Sequence, residues 1–374
     1  MSGQDQSRLR AMATVRALTP YRPGKPISEL ERELGIRDSV KLASNENPLG
    51  ASPRAIAAAR AALDQIGLYP DGNGFALKRA LADRLDIAAS RVTLGNGSND
   101  VLDLIARAFL GPGRNAVFSE HAFAVYPIVT QLAGAAARVV SAHDGSHGPR
   151  FGHDAAALAA AVDGSTGVVF IANPNNPTGT WLNAGALEGL LDAVDPGVVV
   201  VVDEAYFEYV DEADYPDTSR WLHRYPNLVV TRTFSKAYGL ASLRVGYALS
   251  STEIADLLNR ARQPFNVNSA ALAAAEAALG DEDFVARSRA VNAAGHAQIA
   301  EGCQGLDLRH VPSVGNFMLV EVGDAAQVYQ SLLYQGVIVR PVENYGLPKH
   351  LRVTVGTTEQ NARFLEALAG ALGR

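Results

Sequence analysis

TFSKAYGLASLRVGY, Thr233 to Tyr247, sets a lysine directly after a serine and an arginine eight residues beyond it, between two apolar runs. The lead-in NLVVT and the trailing VGYAL read as strands, so Lys236 rides on the loop between them. Among small and apolar neighbours a lysine is partly desolvated. Its ammonium is disfavoured, and the free amine becomes a nucleophile able to form Schiff bases. Gly239 and Gly246 let the backbone pass close to a neighbour, and Arg244 lies near enough in sequence to hold a phosphate. An aldehyde and a phosphate carried on one ring, as in pyridoxal phosphate, would answer both groups. The plainer reading is two surface cations flanking a loop, and this stretch alone leaves both open.

Outward from this loop the chain alternates short β-rich runs with helical ones. RVTLG precedes SNDVLDLIARAFL, NAVFSE precedes FAVYPIVTQLAG, TGVVFIANP precedes LNAGALEGLLDAV, and PGVVVVVDEAY leads through an acidic loop to SRWLHRY. Runs such as VVVVV lack polar alternation, so both faces of their sheet are buried. The expected fold class is α/β: a large domain with a mostly parallel sheet flanked by helices, plus a smaller α+β domain. An arm and a short helix occupy 1–40, the large domain 41–268 and the small domain 269–374. An Ala-rich helical stretch from Ser269 to Gly302 opens the small domain.

Composition narrows the function. A chain of 374 residues, 48% apolar, has ample core. A net charge of −6 gives no basic surface for nucleic acid. The single cysteine, Cys303, excludes a disulfide framework and a cysteine-based metal site, and no metal is expected. No N-terminal segment has a signal peptide's apolar core, and no apolar run nears the roughly 20 residues that span a bilayer. A soluble, cytoplasmic protein is expected.

Four further pieces carry chemistry. GNGSND, Gly95 to Asp100, joins a strand to a helix whose first amides suit a phosphate, although most such turns bind nothing. NPNNPTG, Asn173 to Gly179, reads as an exposed turn at a strand's carboxyl end, where open α/β sheets bind ligands. Asn176 there can donate to a ring oxygen. Asp203 ends the buried VVVVV strand and needs a cation. A protonated pyridine nitrogen is one such cation, and a helix cap or an ordinary ion pair is the alternative. Three residues on, Tyr206 can donate to a phenolic oxygen. Arg352, in YGLPKHLRVTVGT, can grip a carboxylate or phosphate in bidentate fashion, or stand at the surface.

In this order and spacing, S-K-x-x-G-L-x-x-x-R-x-G with N-P-x-N-P-T-G and D-E-A-Y upstream resembles the fold-type I pyridoxal-phosphate aminotransferases. The resemblance runs from about Tyr21 to Thr357. PYRPGKP, LASNENPLG, YPDGNG and YGLPKHLRVTVGT are similar to the histidinol-phosphate aminotransferase branch. It implies that Lys236 holds the cofactor as a Schiff base and then moves a proton. Asp203 would pair with the pyridine nitrogen, with Tyr206 and Asn176 on the phenolic oxygen. Ser235, Arg244 and the amides of Gly97, Ser98 and Asn99 would hold the phosphate. Phe123 would stack on the ring, where members often carry tyrosine. Tyr69 would reach the phosphate of a partner subunit, making a homodimer with shared sites. Arg352 would take the substrate's anionic group, helped by Tyr21, Asn47 and Arg340. Small-molecule amino donors and 2-oxo acids are the implied partners. Glu343 and Asn344 stand where small residues are usual, which bears on the range of amino donors.

Overall fold

The computed structural model describes residues 10–21 and 23–374. Residues 1–9 of the expected arm, and Arg22 within PYRPGKP, lie outside the described residues. Thirteen strands are described. β1 is Val40–Lys41, β2 Val92–Gly95, β3 Asn115–Ser119, β4 Ala136–Val140, β5 Thr166–Ala172, β6 Val199–Asp203 and β7 Leu228–Thr233. β8 is Gly246–Leu249, β9 His310–Val311, β10 Phe317–Glu321, β11 Val337–Ile338, β12 Arg340–Pro341 and β13 His350–Thr354.

Seven strands form the main sheet in the order β2-β8-β7-β6-β5-β3-β4. Only β8 runs against its neighbours, which gives the mostly parallel sheet that the sequence implies. The VVVVV run shows why polar alternation is missing. Val200 and Val202 join the core on one face, and Val199 and Val201 join the core on the other. Each face is roofed by helices, including Ser98–Phe109 and Val125–Leu132 on the second. At the end of β6 the alternation sorts two carboxylates. Asp203 faces the cleft, while Glu204 is buried against Arg232 at 2.7 Å. Beside them on β7, Thr231 meets Asp203 and Arg232 meets Glu204, so strand period separates the carboxylate that faces the cleft from the one buried in an ion pair.

The smaller lobe is a four-stranded antiparallel sheet, β12-β13-β10-β9, with β1 pairing in parallel with β11 beside it. Leu42, directly after β1, belongs to this lobe's core with Val320, Val337 and Phe364. The Ala-rich stretch is two helices, Ser269–Leu279 and Glu282–Gly305. They separate at Gly280–Asp281, where the Asp281 carboxylate caps the second helix by accepting from the Phe284 amide. The first of the two packs its alanines into the main sheet's core, because small side chains let it lie close to the helix Pro53–Ala62. The expected boundary at 268 therefore precedes a helix that packs with the large lobe. SRWLHRY holds only a 3₁₀ turn, Thr218–Trp221, with the Asp217 side chain accepting from Ser219 N.

Candidate active site

The carboxyl ends of β5, β6 and β7 and the loop after β7 converge on a cleft of 290 Å³. Lys236, Asp203, Tyr206, Asn176, Ser98, Asn99, Phe123, Ser235, Arg244, Arg340, Arg352 and Tyr21 all line it. A larger hollow of 1090 Å³, bordered by Trp181, Arg309 and His350, holds none of these residues and has no lysine.

Lys236 projects from the loop with Nζ donating to Ser44 O at 3.1 Å. Burial is the main force holding its ammonium down to a pKa of about 7, and the nearby guanidinium groups of Arg352 and Arg244 add to it. At neutral pH much of the amine is thus unprotonated and nucleophilic. Asp203, 4% exposed, is met only by hydroxyls among side chains: Thr231 Oγ1 donates at 2.9 Å and Tyr126 OH at 3.1 Å. Burial lifts its carboxyl to about 6, against the pull of these two donors and of Lys236. A buried carboxylate facing a cleft with only neutral donors fits a ligand that brings its own cation.

Gly97, with φ +83°, opens the helix Ser98–Phe109. A side chain there would run into the Arg244 guanidinium, 2.5 Å from the Cβ position, so this glycine makes room for the arginine. Arg244 Nη1 reaches Ser235 Oγ at 3.2 Å. The helix start, the serine and the guanidinium together could hold a phosphate. Phe123 supplies an apolar wall. Asn176 Oδ1 accepts from Arg352 Nη1 at 2.6 Å, which turns its amide nitrogen away from the arginine. The NPNNPTG turn is buried rather than exposed, because the small lobe covers it: Val314 N donates to Gly179 O at 3.2 Å.

The two asparagines of SNENP have separate tasks. Asn47 does not line the cleft; its Nδ2 donates to Ala237 O and Ser288 Oγ, both at 2.8 Å, and so ties down the lysine loop. Asn45, in the left-handed region at φ 56°, lines the cleft and donates to Tyr206 OH at 2.8 Å, while Thr354 Oγ1 donates to its Oδ1 at 3.1 Å. Tyr206 accepts that bond and keeps its own proton, since burial pushes its hydroxyl well up. Sequence reasoning misses Asn45, Thr354, Tyr126 and Thr231. The sole signal for Asn45 is its place in a polar turn it shares with Asn47. Tyr69 does not line the cleft of its own chain; it is 82% exposed and stacked on Phe265 at 4.8 Å.

Comparison with known proteins adds to this geometry. The family described as aminotransferase class I and II matches residues 37–368. The chain belongs to that family. Its relatives include histidinol-phosphate aminotransferase 2 of Pseudomonas aeruginosa, 60% identical over 97% of both chains. A protein of the same name from Methylococcus capsulatus is 59% identical over 96% of this chain and 97% of its own. The crystal structure of histidinol-phosphate aminotransferase from Sinorhizobium meliloti, in complex with pyridoxal-5'-phosphate, superposes with a TM-score of 0.88 at 28% identity, covering 97% of this chain and 98% of that one. This aminotransferase is thus a fold-type I enzyme dependent on pyridoxal phosphate, acting on small-molecule amino and keto substrates. The lysine, a buried carboxylate hydrogen-bonded only by neutral donors, and the cluster of phosphate-suited donors fit that cofactor. Among the described residues no helix is long and apolar enough to cross a membrane.

Proposed function

We propose that this aminotransferase moves the amino group of L-histidinol phosphate to 2-oxoglutarate, giving imidazole acetol phosphate and glutamate in histidine biosynthesis. The observation that carries the reading is the placement of Arg340 and Arg352. They are direct partners across β12 and β13 and line one cleft, with Tyr21 against Arg340. Two guanidiniums on one wall suit a dianionic phosphate monoester, and either can take the carboxylate of glutamate in the other half of the cycle. The names of the relatives support the same reading. Glu343 and Asn344, which bear on the range of amino donors, are exposed and outside the cleft.

Pyridoxal phosphate supplies an aldehyde that takes up the amino group and a ring that absorbs the electron pair left at Cα. Lys236 would hold that aldehyde through Nζ and, once freed, would serve as the general base for the substrate's Cα proton. Asp203 would keep the ring nitrogen protonated. Tyr206 and Asn176 would donate to the phenolic oxygen, and Ser98, Asn99, Ser235 and Arg244 would anchor the phosphate. Arg352 and Arg340 orient the substrate's anionic end, which fixes the Cα proton beside the lysine.

Histidinol phosphate, phenylalanine, tyrosine and phosphothreonine would each be mixed with the aldehyde form while cofactor absorbance is followed. Conversion should be fastest with histidinol phosphate. Preferential conversion of the aromatic amino acids would make this an aromatic transaminase, and carbon dioxide release from phosphothreonine would make it a lyase.

The enzyme would work in the cytoplasm as a homodimer. Ile66, Leu68 and Phe75 are exposed apolar residues of the stretch that carries Tyr69, and Tyr69 stacks on the exposed Phe265. If Tyr69 completes the partner's phosphate site, Lys236→Ala and Tyr69→Phe chains refolded together should regain about a quarter of normal sites: half the dimers are mixed, and one site in each is intact. A fully active monomer in sedimentation would overturn the shared site.

A further inference from the structure

In sequence Tyr126 is one more apolar-patterned position of a helix. In the fold it is fully buried on the helix Val125–Leu132, and its hydroxyl is aimed at Asp203 Oδ2, 3.1 Å away. Its ring stacks on Phe170 of β5, with centroids 4.9 Å apart and planes 7° from parallel. The same ring stands edge-on behind Phe123, at 5.9 Å and 89°. One side chain therefore braces the residue expected over the cofactor ring's face and directs the carboxylate expected at its nitrogen. We infer that Tyr126 is the positioning residue of this cofactor site, holding Asp203 ionised and aimed while backing Phe123. This rests on pyridoxal phosphate binding in the cleft.

The groups facing Asp203 are few. Thr231 on β7 donates to Oδ1, Tyr126 to Oδ2, and the Ala205 amide also donates. Lys236 is the nearby cation, and Tyr206 lies three residues further along the chain. A donor to the charged form of a carboxylate lowers its pKa, so removing one raises it. Tyr126 itself stays protonated as a donor, because burial first and Asp203 second push its hydroxyl far up. With the ring locked between Phe170 and Phe123, the hydroxyl cannot turn away, so its loss leaves Asp203 with only Thr231 and a backbone amide.

The test is cofactor retention against pH. Holoenzyme is desalted at a series of pH values and the retained cofactor is read by absorbance. Retention falls as acid neutralises Asp203 and the ring nitrogen loses its counter-ion. In Tyr126→Phe, which keeps the ring and deletes the hydroxyl, the midpoint should move up by about one pH unit. With 3-fluorotyrosine at position 126, a better donor on the same ring, it should move down. The thermal midpoint of the apo protein should stay level in both, which separates positioning from packing. Coincident retention curves for these proteins and the parent overturn the inference. If Tyr126→Phe does not fold, the fluorotyrosine protein decides alone. A parent that retains no cofactor at any pH would instead overturn the reading of the cleft.

Discussion

Lys236→Ala is expected to lose all measurable transamination while remaining folded. Two functions leave with one amine. The covalent attachment of the aldehyde goes, and so does the general base beside Cα, which alone contributes roughly 10²–10⁴-fold. The fold does not depend on the side chain, because its hydrogen bond goes to the single carbonyl of Ser44, and the loop is held instead by Asn47 on Ala237 O. Removing an amine held near a pKa of about 7 by burial also relieves a desolvation cost, so the thermal midpoint should stay level or rise. Absorbance of the lysine-bound cofactor should be absent, and stopped assays should show no product. Substantial turnover without an added small amine would remove Lys236 from the mechanism.

The lysine loop, the acidic strand end and the phosphate turn are legible in sequence because each is local. A strand, a break and a reactive side chain lie within a few residues, and period-two alternation gives their direction. Asn45 is not legible. Asn45 and Asn47 share one polar turn, and only the left-handed backbone at Asn45, pinned by Thr354 from 309 residues away, turns that side chain onto Tyr206. Tyr126 is hidden for a related reason: in a helical pattern a buried tyrosine looks like core, and its hydroxyl gains meaning only when β6 brings Asp203 to it. Sequence order groups the helix Ser269–Leu279 with the small lobe, yet its alanines pack on the large one. Adjacency in sequence does not show which core a small-residue helix will enter.

Arg340→Ala is expected to lower kcat/KM for histidinol phosphate by about 10- to 150-fold, from the roughly 1.5–3 kcal/mol of one charge-assisted contact. From sequence this holds only on condition that the two arginine strands are neighbours. They are: Arg340 sits opposite Arg352 in the β12–β13 register, and the two are 8% and 6% exposed. Both line the cleft. Their anchoring differs. Arg352 is fixed by Asn176 Oδ1 at 2.6 Å and Ala43 O at 2.5 Å, and its Nε is buried with no hydrogen-bond partner among the described residues. Arg340 lies with its guanidinium 5.4 Å from the centre of the exposed Tyr21 ring. On the proposed function, Arg352 would then be the fixed receptor for an anionic end, and Arg340 would supply the second charge that a phosphate dianion requires. Phenylalanine brings a single negative charge that Arg352 can hold alone, so Arg340→Ala should change its use far less. Arg352→Ala should impair both substrates, and more severely, because it also frees the Asn176 amide, which lines the same cleft and is proposed to meet the cofactor's phenolic oxygen. Steady-state kinetics on both donors with all three proteins gives the comparison. Equal losses for the two donors in Arg340→Ala, or none, would take the phosphate away from Arg340 and favour an aromatic amino acid as the donor.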